Sequence, residues 1–247
     1  MEKTHGLTPN QEKLLSILEY KGYKTILRDD LLNLISKHKI SKNPRYLIKS
    51  MLLKKRLIFF KRKHYIIIPM KSVNKEAGID EFELNELFLE SKDYYIGMYN
   101  AFNLHHFTEQ IPNKLFVFNT KYSIDRNILH YKFKYFKIKK DKLFGVLKKY
   151  KYPYSNRERT IIDVLDYPEY FGGLSKIIPE LKDYNKERLD DYAIKYNSVK
   201  IMKIIGYLTD SQKIYRILKN KGKLNYYTTV KKTRLNIINK KWKIRMI

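Results

Sequence analysis

The sequence predicts an α+β fold in two parts: a small domain of three helices and a β-hairpin, then a larger mixed α+β domain. Three helix patterns and two β-rich runs fill residues 1–70. Residues 71–78 have no hydrophobic period, which indicates a linker. Over residues 79–247, strand-like and helix-like patterns follow one another, as in mixed α+β domains. We therefore expect domains at 1–70 and 79–247.

The helices of the first domain are expected to begin at capping residues. Thr8 and Asp29 precede the first two apolar repeats, and Asn43, followed by a proline, precedes the third. Asn caps free N–H groups, and Pro fits the first helical turn. Leu57–Phe60 and Tyr65–Ile68 then form two strands on either side of a basic turn. One face of the third helix is apolar and consists of Leu47, Ile48, Met51 and Leu52.

The third helix and the hairpin together indicate a winged helix-turn-helix domain. The outer face of the helix and the tip of the hairpin are both basic. In a winged helix, the helix enters the major groove and the hairpin tip reaches the neighbouring phosphates. The alternative is a small helical domain that packs on another protein. The candidate DNA-binding residues are Lys42, Asn43, Arg45, Tyr46, Lys49, Ser50, Lys54, Lys61, Arg62, Lys63 and His64.

The charge of the chain is large and unevenly distributed. The formal net charge is +27, from 52 basic and 25 acidic residues. Residues 1–70 contain 16 basic and 5 acidic residues, residues 71–210 contain 24 and 20, and residues 211–247 contain 12 and none. A general compositional bias toward Lys would spread evenly along the chain. The unevenness therefore favours a polyanionic partner, with double-stranded DNA the first candidate.

Composition also excludes several classes of site. The chain has no Cys, and therefore no disulfide, thiolate metal site or Cys nucleophile. The N-terminus has no apolar signal region, and no apolar run approaches the roughly 20 residues of a membrane span. We expect a cytoplasmic protein with no membrane partner.

The second domain is expected to begin with strands and to continue mainly as helices. Tyr94–Phe107 indicates a strand that runs into a helix, and Lys114–Asn119 indicates a buried strand. Ile128–Ile138 alternates Lys with aromatic residues and is expected to be one strand, with Lys142–Leu147 as its partner. Such a strand can bind single-stranded nucleic acid, but a half-solvated antiparallel strand is the commoner explanation. Three helices are then expected between Gly173 and Leu208, followed by a short helix and β-rich pieces in the basic segment 211–247.

The polar residues of the second domain do not indicate a metal site or a cofactor. His105 and His106 are adjacent, so on a helix they point in different directions and cannot ligate one metal as an i,i+4 pair. The clustered carboxylates Glu158, Asp163, Asp166 and Glu169 suggest a metal-dependent nuclease, but no Lys stands near them in the required arrangement. In the structural alternative, Glu158 and Arg159 each pair with partners inside the fold, and Asp163 anchors the helix. We expect that the protein is not an enzyme.

At this point the order of motifs resembles a known family, the AbiEi-like antitoxins and regulators of abortive-infection type IV toxin–antitoxin systems. Three features carry the resemblance: the N-terminal winged helix that leads into a second domain, the stretch from Tyr95 through Thr108-Glu109-Gln110-Ile111-Pro112 to the strand at 116–118, and Glu158–Pro168 with Gly172-Gly173. Together these features cover most of residues 8–210, and the basic segment 211–247 lies outside the match. The motif residues in the second domain are His105, Gln110, Glu158, Arg159, Thr160, Asp163, Gly172 and Gly173.

The resemblance implies a two-part function. The winged helix would bind operator repeats and repress its own operon. The second domain, residues 79–247, would counter a nucleotidyltransferase-like toxin, with or without contacting it. No catalytic residue carries over. The alternatives are a winged-helix protein with a metal-dependent nuclease domain, and a general nucleic-acid-binding adaptor in which the basic segment 211–247 dominates.

Overall fold

The computed structural model describes residues 6–61, 63–70, 72, 78–148, 150–231 and 233–247. It is a mixed α+β structure, which confirms the expected fold class. The chain divides into two compact units, Met1–Glu90 and Ser91–Ile247.

The first unit contains helices on a small antiparallel sheet of strand order β1-β3-β2. The apolar sides of the first three helices pack on this sheet, with Leu14, Leu31 and Met51 fully buried. The elements of this unit are α1 (Pro9–Tyr20), β1 (Thr25–Leu27), α2 (Arg28–Lys37), α3 (Pro44–Leu53), β2 (Leu57–Lys61), β3 (His64–Ile67) and α4 (Glu81–Leu89).

Two of the three expected helix starts stand where the sequence placed them. Asn43 Oδ1 accepts a hydrogen bond from the Tyr46 N–H (3.1 Å) at the start of α3. At the start of α1, Gln11 Oε1 accepts from the Thr8 N–H (2.9 Å). The expectation for Asp29 is wrong, because α2 already begins at Arg28 and Asp29 lies in its first turn. The cause is tertiary: the Arg28 N–H donates to the Lys63 carbonyl (2.7 Å) in the hairpin turn.

The boundary between the units also differs from the expected one. The sequence placed residues 79–90 in the second domain, but the structure groups α4 with the first unit. Two ion pairs account for this: Lys24 Nζ lies 2.8 Å from Glu83 Oε2, and Lys61 Nζ lies 2.9 Å from Glu90 Oε1. Most of the expected linker, 71–78, lies outside the described residues.

The second unit combines a six-stranded mixed sheet, of order β6-β7-β5-β4-β9-β8, with helices and a separate three-stranded sheet, β10-β12-β11. The helices are α5 (Met98–Leu104), α6 (Arg157–Asp166), α7 (Leu174–Ile177), α8 (Lys186–Tyr196), α9 (Val199–Thr209) and α10 (Gln212–Asn220). The strands are β4 (Tyr94–Ile96), β5 (Leu115–Asn119), β6 (Ile124–Ile128), β7 (Tyr131–Lys137), β8 (Val146–Leu147), β9 (Tyr154–Ser155), β10 (Thr228–Val230), β11 (Ile237–Asn239) and β12 (Ile244–Met246).

The expected single strand Ile128–Ile138 is wrong. It is interrupted at residues 129–130, where Leu129 has a left-handed backbone (φ 56°) and the chain turns from β6 into β7. β7 pairs with β6 in the antiparallel direction and with β5 in the parallel direction. The expected partner segment contains β8, which pairs with β9 instead. Phe133, Tyr135 and Phe136 are all buried, so β7 is an interior strand and its aromatic residues are not available to stack on nucleic acid.

The basic C-terminal segment is part of the core of the second unit. Trp242 is 2% exposed and packs directly against Gly206 of α9. The fully buried Lys203 Nζ donates to the carbonyls of Tyr226 (2.8 Å) and Lys243 (3.1 Å). These contacts tie the three-stranded sheet to α9, so residues 211–247 form a folded element.

Candidate nucleic-acid interface and a cleft in the second unit

One face of α3 presents a row of exposed cations. Its apolar residues point into the core, which turns Lys42, Arg45 and Lys49 toward solvent, and Tyr46 beside them is 70% exposed. Within the described part of the chain, these three cations have no ion-pair partner. The face can therefore bind an anionic surface without first breaking an internal contact.

Ser50 and Lys54, two other predicted DNA contacts, are engaged inside the unit. The Ser50 hydroxyl donates to the Leu47 carbonyl (2.7 Å) and accepts from Gln11 Nε2 (2.9 Å). Lys54 Nζ donates to the carbonyl of Gly6 (2.7 Å) and to Gln11 Oε1 (2.8 Å). The two side chains fix α3 to the start of α1, which positions the exposed face and leaves neither of them free.

The hairpin tip is less basic than the sequence suggested. Lys61 Nζ pairs with Glu90 and donates to the carbonyls of Leu87 (3.2 Å) and Phe88 (3.1 Å). His64 Nε2 lies 4.0 Å from the same carboxylate. Both side chains therefore face α4. Lys63 is 63% exposed, with Asp29 3.9 Å away, and Arg62 lies outside the described residues.

The motif residues Arg159 and Asp163 form a buried ion pair in the second unit. Arg159 Nη2 lies 3.1 Å from Asp163 Oδ1, and both side chains are fully buried. The Tyr95 hydroxyl accepts from Arg159 Nη2 (2.6 Å) and donates to Asp163 (3.1 Å). Burial raises the pKa of Asp163 to about 6, opposed by the Arg159 charge and the Tyr95 hydrogen bond. The guanidinium also lies over the ring of Phe144, 4.7 Å from its centroid.

The other motif residues connect the elements around this pair. Glu158 Oε1 accepts from the Asn185 N–H at the start of α8 (2.9 Å), and the Thr160 hydroxyl donates to the Asn156 carbonyl (2.8 Å). His105 Nε2 lies 2.7 Å from the Ser155 carbonyl and donates to it. The interior pairing expected in the structural alternative is thus present. Asp166, the remaining carboxylate of α6, is held separately by Lys200 (2.5 Å).

These carboxylates do not converge on a common point. Among the described residues there is no group of three or more His, Asp or Glu side chains arranged to hold a metal ion. The arrangement is that of a packed, hydrogen-bonded interior.

Two other motif residues, Gln110 and Gly172, meet at a cleft of about 650 Å³. The floor is aromatic: the rings of Tyr99 and Phe171 stack with centroids 4.0 Å apart. One rim is the loop 106–110, and the other carries three cations, Lys176, Lys182 and Arg234. Gly173, next to Gly172, is buried with φ 105°, a conformation that glycine adopts readily. The cleft thus brings together two segments of the sequence resemblance.

The sequence interpretation missed the cations and the floor of this cleft. Arg234 comes from the basic C-terminal segment and reaches Gly172 only through the tertiary fold. The Gly172-Gly173 pair was the available signal, because adjacent glycines indicate a turn with positive φ, and both have positive φ here.

The C-terminal segment forms a second basic surface. Of its cations, Lys213 pairs with Asp191 and Lys241 pairs with Asp210. On the three-stranded sheet, the Tyr227 ring lies near Lys243 Nζ (5.1 Å) and the guanidinium of Arg245 (5.4 Å). Seven cations of the segment are exposed and have no ion-pair partner within the described ranges: Arg216, Lys219, Lys221, Lys231, Arg234, Lys240 and Arg245.

Comparisons with known proteins add a likeness of fold. No family model and no curated protein matches the sequence. The structure is similar to the crystal structure of the RV2827C protein from Mycobacterium tuberculosis, with a TM-score of 0.67 and 11% sequence identity. The match covers 98% of this chain and 92% of that chain. In the described part of the chain, no helix is both long and apolar enough to cross a membrane. At this identity the likeness establishes a shared fold.

Proposed function

We propose that this chain is a cytoplasmic DNA-binding transcriptional regulator and antitoxin. The first unit acts as a winged helix that binds operator DNA and represses its own operon, and the second unit counters a nucleotidyltransferase-type toxin. The observation that carries the proposal is the face of α3, where Lys42, Arg45 and Lys49 are exposed beside Tyr46 without internal partners.

The order of elements in the first unit supports the winged-helix part. Helix, strand, helix, helix, strand, strand is the order of winged-helix domains, and the sheet order β1-β3-β2 places the hairpin at one edge. Residues 38–43 join α2 to α3 through a short connection. The apolar side of α3 is buried, so its exposed side is the one available to a groove.

Within this proposal the predicted contacts divide by role. Arg45, Tyr46 and Lys49 lie on the outer face of α3 and contact base edges in the major groove. Lys42 and Lys63 are exposed at the start of α3 and at the hairpin turn, and they contact phosphates. Lys61 has its charge matched by Glu90 and contributes little to binding.

The test is DNA binding to the promoter of the chain's own operon, measured by fluorescence anisotropy. Arg45→Ala with Lys49→Ala removes two exposed cations from α3, and the expected loss in affinity is about tenfold or more. Lys13→Ala with Lys21→Ala is the matched control, because it removes the same charge from exposed positions around α1. Equal losses in both variants would show that only net charge matters and would overturn the α3 assignment.

The antitoxin part rests on the resemblance of the motifs around Gln110, Glu158 and Gly172. Since Glu158, Arg159 and Asp163 are interior residues, their role is to hold the second unit in shape. The activity itself then belongs to surface features of that unit. The test is to sequence the genes beside this one and to co-express the chain with any that encodes a nucleotidyltransferase-like protein. The full chain is expected to restore growth; the lack of such a gene, or failure to restore growth, would remove the antitoxin part while leaving the repressor part standing.

The adaptor alternative has one specific observation in its favour, the basic surface of residues 211–247. Truncation at Asp210 cannot test it, because the truncated segment includes the buried Trp242 and would expose Gly206 and Lys203. Neutralising exposed residues of the folded segment is the appropriate experiment. If Lys231→Gln with Arg245→Gln lowered DNA affinity more than Arg45→Ala with Lys49→Ala, the adaptor hypothesis would replace the repressor hypothesis.

A further inference from the structure

We propose that the cleft of the second unit binds a nucleoside phosphate, with the phosphate at Gly172 and the base at the aromatic floor. The cleft is large enough for such a ligand: its volume is about 650 Å³, and small-molecule sites have volumes of about 300–1,000 Å³. The proposal is independent of DNA binding by the first unit, because every lining residue belongs to the second unit.

The phosphate is placed at Gly172 because the guanidinium of Arg234 and the side chain of Lys176 both lie beside this glycine. A Cβ placed on this glycine would lie 4.0 Å from Arg234 Nη1 and 3.9 Å from Lys176 Cγ. The glycine has a left-handed backbone (φ 75°), and its missing side chain leaves the space beside the Arg234 guanidinium open. Arg binds phosphate through two parallel N–H groups, and Lys adds a point charge.

The cations available for a ligand outnumber the carboxylates. The lining contains Lys176, Lys182 and Arg234 against Glu109 and Glu180. In the described part of the chain, none of these five side chains has an ion-pair partner. An anionic ligand therefore finds charges that no internal contact neutralises.

The base position follows from the floor and the opposite rim. Tyr99 is partly exposed on the floor, and Phe102 packs edge-on against Phe171 with centroids 5.3 Å apart. Aromatic rings stack on nucleobases whatever the base. Burial raises the pKa of Tyr99, so its hydroxyl stays a hydrogen-bond donor at neutral pH. On the rim, Glu109 and Gln110 offer acceptors and donors at the edge of the ring.

Both rims are fixed by hydrogen bonds, so the site is formed without a ligand. Asn103 Nδ2 donates to the carbonyls of Thr108 (3.1 Å) and Gln110 (3.2 Å), which pins that loop to α5. The loop that carries Arg234 is held through Thr233, whose carbonyl accepts from the Ser175 N–H (3.0 Å) and whose N–H donates to the Ile247 carbonyl (3.1 Å). A preorganised site binds without a large ordering cost.

Calorimetric titration of the full chain tests this proposal, with ATP and GTP as probes. One nucleotide is expected to bind per chain with micromolar affinity. Lys176→Gln with Arg234→Gln is expected to weaken binding by about tenfold or more. The matched control, Lys219→Gln with Lys221→Gln, removes the same charge from exposed positions outside the cleft and is expected to leave affinity unchanged.

Inorganic tripolyphosphate separates the two halves of the site. Tyr99→Leu is expected to weaken the nucleotide severalfold and to leave tripolyphosphate unaffected, because only the base loses its stacking partner. Melting curves of each variant establish that it is folded. The proposal is overturned if neither nucleotide binds, if tripolyphosphate binds as tightly as the nucleotides, or if the control variant loses as much affinity as the cleft variant.

Discussion

Arg159 is a buried cation that pairs with the Asp163 carboxylate and donates a hydrogen bond to the Tyr95 hydroxyl. Its third side-chain nitrogen, Nη1, is also buried and has no hydrogen-bond partner among the described residues. Removing one partner of such a pair costs about 3–5 kcal/mol, because the other charge stays buried and uncompensated. Both members of the pair lie on α6, and the Tyr95 hydroxyl of β4 hydrogen-bonds to both, so this cluster joins α6 to β4.

The pH dependence of stability tests the balance between burial and ion pairing at Asp163. Its folded pKa of about 6 lies above the unfolded value of about 3.9, so the folded state takes up this proton first. The stability from this group is therefore present at low pH and is lost as pH rises through about 6. The advantage of the wild type over Asp163→Asn is expected to be larger at pH 4.5 than at pH 7.5 in urea unfolding. An advantage that grows with pH would mean that Arg159 outweighs burial and that the pKa is lowered.

At the scale of elements, the sequence was most informative where local chemistry decides the structure. Asn43 caps α3 as predicted, and the apolar repeat of α3 is its buried face. Predictions were wrong where distant contacts decide. β7 pairs with β5 and not with the predicted partner at 142–147, and the Arg28 N–H at the start of α2 donates to the Lys63 carbonyl. No short-range pattern contains these contacts.

In the candidate site, too, local features were predictable from the sequence and distant contacts were not. The exposed face of α3 was predictable, because helical periodicity fixes which residues share a face. The ion pair that engages Lys61 was not predictable, because its partner Glu90 follows α4, in a stretch that the sequence assigned to the other domain. Arg234 reaches Gly172 across 62 positions of sequence, a distance that only the tertiary fold closes.

Helix α9 and the C-terminal sheet form one packed element, and Gly206→Ala tests this. A Cβ at Gly206 would lie 2.2 Å from Trp242 Cζ3, far inside van der Waals contact. We expect a loss of stability of at least about 1–3 kcal/mol from this overpacking. Trp242 is the only tryptophan in the chain, so its fluorescence reports the change directly. Gly6→Ala is the control, because nothing lies within 4 Å of its Cβ. An unshifted emission and melting point for Gly206→Ala would contradict the packing.

On the scale of the whole molecule, the two regions rich in basic residues differ in how many acidic residues accompany them. Residues 1–90 contain 18 basic and 11 acidic residues, and several of the acidic ones lie on α4. Residues 211–247 contain 12 basic residues and no acidic one. The net charge is therefore a guide to the class of partner, whereas the exposed face of α3 is the surface where we propose that DNA binds.

The proposal that α3 binds in the major groove of operator DNA is tested most directly by methylation protection of guanine N7 on the promoter of the chain's own operon. N7 lies in the major groove, where α3 is proposed to bind. With the wild type, guanines at repeated positions are expected to be protected. With Arg45→Ala, that protection is expected to be lost at protein concentrations that still saturate the DNA. Binding that leaves every guanine N7 reactive, or protection that Arg45→Ala does not alter, would contradict the proposal.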